Sequence, residues 1–166
     1  MDSIHLIDDF IPHPHVKDRL LEGLQPLLVD GTVWASYYSK SFIPGKQTHP
    51  TLHLHSNFKQ LGEDITTQVV RCLGRKMKMV KMWGKWSNGK KDHMNWHNHL
   101  PNDYSIVYYL KVPSFMRNGT LFKVHGLFKT KENSLLIFPA YLIHSTPSYF
   151  WKGDRYVISA DFVGVS

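Results

Sequence analysis

The chain has one cysteine, Cys72, among its 166 residues. No internal disulfide can form, so a small bridge-stapled scaffold is excluded and a reducing, cytoplasmic compartment is the expected setting. Long apolar runs are missing as well. No stretch approaches the roughly 20 residues that a membrane-spanning helix needs, and no basic head followed by an apolar run opens the chain. Acidic residues are few beside basic ones, 13 against 20, which leaves a formal net charge of +7. An anionic partner is the natural expectation from such a balance. Repeats, linkers and low-complexity segments are also lacking, which points to a single unit over 1–166. Within it a helical support region is expected over 1–75 and a barrel core over 76–166.

Hydrophobic residues at 42% are enough to build a core in a chain of this length. Ile4 to Ile11 reads as a strand or extended lead-in. Val16, Leu20, Leu21, Leu24, Leu27 and Leu28 then recur at three- and four-residue steps, which predicts a helix that Pro26 ends or kinks. Trp34 to Phe42 reads as extended and Pro44 to Pro50 as a loop. A second helix is predicted over 57–73, since Phe58, Leu61, Ile65, Val69 and Cys72 share a stripe and Ser56 or Asn57 can cap it.

From Lys76 the period changes to two, with strands predicted over 76–86, 94–99, 104–112, 120–124, 134–138, 142–147 and 155–163. Seven short strands after two helices predict a mostly β fold, an antiparallel double-sheet jelly roll braced by helices on one face. Asn118-Gly119-Thr120 is read as a turn rather than a glycan site. Eight basic residues between Arg71 and Lys91 alternate with Met77, Met79, Met82, Trp83 and Trp86. They fit either a nucleic-acid or phosphate surface or a solvated strand.

Eleven histidines stand out. His97 and His99 are two apart, a spacing that turns both imidazoles to one face of a strand. His144, at the end of a second predicted strand, is the third candidate, and three imidazoles on one side of an ion leave the other side open. A competing pair with the same spacing is His53 and His55. His5, His13, His15, His49, His93 and His125 sit in polar or loop contexts and read as surface residues.

The two pairs differ in the residues downstream of them. After His97-Asn98-His99 come Tyr108-Tyr109-Leu110, Gly119-Thr120-Leu121-Phe122, Phe138-Pro139, His144 and Arg155-Tyr156-Val157-Ile158-Ser159. This order resembles the catalytic core of the prolyl-hydroxylase-like branch of Fe(II)- and 2-oxoglutarate-dependent dioxygenases. The likeness runs over roughly 83–163, with a looser echo at Ile7-Asp8-Asp9-Phe10-Ile11. It implies a double-stranded β-helix barrel, with His97, His99 and His144 as iron ligands. It further implies that Arg155 pairs with the far carboxylate of 2-oxoglutarate, with Tyr109 and Ser159 hydrogen-bonding the same group. The planar fork of arginine suits that task. 2-Oxoglutarate and dioxygen would then be co-substrates, and the prime substrate a peptide, a nucleotide or another anion.

The family usually carries a carboxylate where His99 stands; bacterial and phage members with His-x-His are similar to this chain. Asp103 is the nearest carboxylate able to replace it, or else a turn residue in Pro101-Asn102-Asp103. Two other functions stay open. In a cupin-type three-His metal dioxygenase, His97, His99, Asp103, Pro139 and His144 would fit, although Tyr141 stands where a glycine is usual. A non-enzymatic binding module would use the basic segment on nucleic acid or an acidic protein, its histidines incidental or holding a structural metal.

Overall fold

The computed structural model describes residues 3–38, 43–89, 92–113, 118–147 and 153–166. Its strands are β1 (His5–Ile7), β2 (Val29–Asp30), β3 (Lys46–Gln47), β4 (Met77–Asn88), β5 (Tyr104–Lys111), β6 (Gly119–Phe122), β7 (Gly126–Lys129), β8 (Leu135–Pro139), β9 (His144–Ser145) and β10 (Asp154–Gly164). Its α-helices are α1 (Pro14–Leu24), α2 (Gly31–Tyr37) and α3 (Lys59–Leu73). Seven strands form one sheet in the order β1-β8-β5-β10-β4-β3-β2, and three form a second, β7-β6-β9.

The long strands alternate, and that alternation builds the molecule. Tyr156, Ile158, Ala160 and Phe162 of β10 join Ile106, Tyr108, Leu135 and Ile137 in a core covered by α1 and α3. The residues between them turn to the opposite face, where Tyr109, Leu136, Phe138 and Val157 pack with Phe122 of the small sheet. Among the described residues the expected jelly roll is realised as two facing sheets. Parts of the N-terminal support region also enter the large sheet, among them the stretch from Ile4 to Ile11 read as a strand or lead-in. β1 pairs with β8, and β3 pairs with β4.

Both predicted helices form. α1 starts with Pro14, whose fixed φ suits a first turn, and passes at Gln25 into a 3-10 turn that contains Pro26. α3 buries Leu61, Ile65 and Val69 and ends on Gly74, whose φ of +64° is the left-handed conformation that glycine adopts without penalty. Neither Ser56 nor Asn57 caps it, because a 3-10 turn over Ser56–Phe58 precedes the helix. Gly84 lets α1 approach β4 closely: a Cβ there would lie 2.3 Å from Leu24 Cδ1.

Several sequence expectations are corrected. The segment read as extended from Trp34 begins as α2, because the Asp30 carboxylate accepts from Thr32 N at 2.8 Å and caps a helix over Gly31–Tyr37; positions 39–42 lie outside the described residues. The 44–50 loop contains β3. No continuous strand forms over 94–99, where a single bridge joins His97 to His144. Gly126–Lys129, to which the sequence pattern assigns no strand, is β7, paired with β6. Asn118 is not a turn residue either: it is buried, and its side-chain amide donates to Pro113 O at 2.7 Å.

Candidate metal centre

His97 and His144 are joined by two backbone hydrogen bonds, His97 N to His144 O at 3.0 Å and His144 N to His97 O at 2.9 Å. The reciprocal pair brings the rings to 4.4 Å between centroids. His99 is tied to the same loop by its N–H, which donates to Ala140 O at 2.9 Å. Two of the three imidazoles therefore owe their position to backbone bonds across the loop, and not to a shared strand. The three histidines offer ligand nitrogens that all lie within 4.8 Å of one another, and no other such group of three occurs among the described residues.

The rings of His97 and His144 hydrogen-bond through Nδ1 to carbonyl oxygens, Asn95 O at 2.7 Å and Leu142 O at 2.9 Å, and the Nδ1 of His99 lies 3.1 Å from Asp161 Oδ1. A carbonyl oxygen can only accept, so Nδ1 carries the hydrogen in His97 and His144 and their Nε2 keeps its lone pair. His144 is 5% exposed, packed against Phe138 and Phe122. Burial, with His97 beside it, pushes its pKa from 6.5 down to about 3, so the ring is neutral and able to ligate at ordinary pH.

The triad opens on a cavity of about 520 Å³ between the sheets. Arg155 and Ser159 line it, as the sequence reading expects. Arg155 is only 6% exposed, a buried cation in the same chamber as the imidazoles. Tyr109 stands behind the wall rather than in it. Its ring lies under the Arg155 guanidinium at 5.6 Å, and its hydroxyl shares a 2.6 Å hydrogen bond with Thr120, which does face the cavity. Asp103 does not join the centre: its carboxylate accepts from Gly164 N at 2.6 Å and braces the end of β10. His53 and His55 fall in and beside a short 3-10 turn, not on a strand, so their two-residue spacing does not align the rings. His55 packs on Phe58, and burial depresses the His53 pKa.

The basic stretch divides. Lys76 and Lys78 are exposed, Lys81 and Lys85 face the cavity on either side of Trp83, and Lys90 and Lys91 lie outside the described residues. Sequence reasoning missed Asp161, Thr120 and the cavity hydroxyls of Ser87 and Ser145. Only the alternation of β10, which puts Asp161 on the face of Ser159, carried a signal for the first.

No protein-family model matches the chain, and no curated protein matches it in sequence. Solved structures do match in fold. HygX from Streptomyces hygroscopicus, with nickel and 2-oxoglutarate bound, superposes with a TM-score of 0.74 at 10% identity, covering 99% of this chain and 84% of that one. The viral collagen prolyl hydroxylase of Paramecium Bursaria Chlorella virus-1, in its 2-oxoglutarate complex, gives 0.66 at 15% identity, covering 98% and 96%. A prolyl hydroxylase from Trichoplax adhaerens, in complex with a peptide fragment of hypoxia inducible factor, gives 0.74 at 16%, covering 99% and 84%. The fold of this chain is the double-stranded β-helix of these oxygenases.

Proposed function

We propose that this chain is a non-haem Fe(II) and 2-oxoglutarate-dependent oxygenase, of the bacterial or phage type that carries His-x-His, hydroxylating a prime substrate inside the cell. The observation that carries the reading is one cavity holding both three clustered imidazoles and a buried guanidinium. The donor set fits iron, for which imidazole is a common ligand. The chamber also fits a polar co-substrate, because Ser87 and Ser145 line it and their buried hydroxyls have no hydrogen-bond partner among the described residues.

His97, His99 and His144 would hold the metal, and bound iron would couple decarboxylation of 2-oxoglutarate by dioxygen, giving succinate and carbon dioxide, to insertion of one oxygen atom into a C–H bond of the substrate. The chain's own residues bind, orient and exclude water. Arg155 receives the far carboxylate as a charge-assisted pair. Ser159, four residues along β10 and on the same face, donates a second hydrogen bond, while Tyr109 holds Thr120 in place beside them. Burial keeps the Tyr109 hydroxyl protonated, as a donor needs. Phe138 and Val157, backed by Phe122, form an apolar wall that strengthens each polar contact. Lys81 and Lys85 flanking Trp83 suit an anionic prime substrate.

The triple-imidazole set also favours a cupin-type metal dioxygenase, but that chemistry has no use for a buried guanidinium. Succinate release separates the two. With Fe(II) and ascorbate, the protein should slowly convert 2-oxoglutarate to succinate even without prime substrate, and Arg155→Ala should raise the 2-oxoglutarate requirement about 30-fold or more while iron stays bound. Iron binding without any succinate would reject the proposal.

A further inference from the structure

The three Nδ1 neighbours are not alike. His97 and His144 donate to neutral backbone carbonyls, whereas the Nδ1 of His99 stands 3.1 Å from a carboxylate oxygen, Asp161 Oδ1. Asp161 is 3% exposed, and its carboxylate is held by further donors. Ser105, directly opposite on β5, donates to the same Oδ1 at 2.7 Å, and Asn102 Nδ2 donates to Oδ2 at 3.2 Å while also bonding His99 O at 2.8 Å. The β10–β4 register breaks immediately after Asp161, so it is the last residue of the cavity-facing series before the strand is re-aimed. The His99 ring itself is stacked between Trp83, 5.6 Å away, and His144, 5.1 Å away. Stacking fixes the plane of the ring; only a partner at Nδ1 fixes which nitrogen bears the hydrogen.

We infer that Asp161 is the positioning residue of the metal centre, holding His99 in the tautomer that presents Nε2 and supplying, one residue further out, the negative charge that His99 does not bring as a ligand. The inference rests on the function proposed above and deepens it. A carboxylate behind a ligating imidazole raises the basicity of that ligand and locks its orientation, and losing such a partner typically weakens metal binding 10- to 100-fold. Three neutral imidazoles alone would leave the bound ion's full double charge in a cavity already lined by Arg155.

Cobalt(II) alone, titrated into the metal-free full chain and competed against a chelator, tests this without turnover. Asp161→Asn should weaken cobalt binding 10- to 100-fold and alter its visible ligand-field spectrum. In a His99→Asp background there is no imidazole left to orient, and the same substitution should change affinity less than about threefold. A loss of equal size in both backgrounds would make Asp161 a purely structural residue and overturn the inference, as would undiminished affinity in Asp161→Asn. A wild-type chain that binds no cobalt would sink the proposed function together with the inference, whereas normal wild-type binding with a silent Asp161→Asn would sink the inference alone. Should Asp161→Asn fail to fold, the long-range proton–nitrogen NMR spectrum of the wild type decides the matter: a His99 Nδ1–H tautomer supports the assignment and an Nε2–H tautomer refutes it.

Discussion

The two faces of β10 obey different physics. Tyr156, Ile158, Ala160 and Phe162 meet the helices, where shape and volume decide which residue fits. Arg155, Ser159 and Asp161 meet the cavity, where a buried charge or hydroxyl survives only beside a partner or a ligand. One strand thus carries the stabilising and the chemical halves of the molecule at alternate positions. Stability resides on the helix-covered face, and the cavity face draws on it to keep an arginine, an aspartate and a neutral histidine out of water.

That division is tested most severely at His144. His144→Ala should abolish stoichiometric iron binding, read by metal analysis of the purified protein, while the helix-side core is untouched. One tightly held iron per chain in that variant would mean the centre is elsewhere. The opposite face gives the opposite result. Ile158 is fully buried under the helices, and Ile158→Ala should cost about 2–5 kcal/mol in urea unfolding yet leave iron content unchanged. Loss of metal from Ile158→Ala at temperatures where it stays folded would show the faces to be coupled.

Much of this is legible in the sequence because a period of two or 3.6 reports directly on which face is buried. The α3 stripe and the β10 alternation need no tertiary information. His97, His144 and Arg155 are legible through the resemblance that their order along the chain carries. The features that stay hidden have physical causes. α2 depends on a single capping carboxylate at Asp30, and local propensity around Trp34 and Tyr37 points to strand instead. The 97–99 segment reads as a strand, but cross-loop backbone bonds to Ala140 and His144 aim its rings. Asp161 cannot be recognised from the sequence as a partner of His99, since the contact spans 62 positions and arises only when β10, β5 and the loop after β8 come together.

In the metal-free protein the same division shows in the response to pH. His144 has a pKa of about 3 in the fold and 6.5 when unfolded, so above pH 6.5 both states are neutral and its contribution to stability is complete. As the pH falls below 6.5, the unfolded chain takes up a proton that the folded ring refuses, and stability drops by at most about 1.4 kcal/mol per pH unit until the folded ring also protonates. Urea unfolding of chelator-treated protein should therefore show a shallower slope between pH 6.5 and 3 for His144→Asn than for wild type. Equal slopes would mean that His144 is not the group that the cavity keeps neutral.

The smallest effect belongs to the other histidine pair. His53 and His55 share the spacing of His97 and His99 but sit in and beside a 3-10 turn, with His53 half-buried beneath α3 and His55 exposed against Phe58. Joint replacement of both by alanine should leave iron content and succinate release unchanged, and should lessen acid sensitivity slightly, because burial lowers the His53 pKa in the same sense as that of His144. Identical spacing then separates into two outcomes on one ground: a His-x-His pair becomes a centre only where backbone bonds aim it and an oxygen stands beside each Nδ1. Loss of iron from the double variant would contradict that ground, since no third ligand lies within reach of the pair among the described residues.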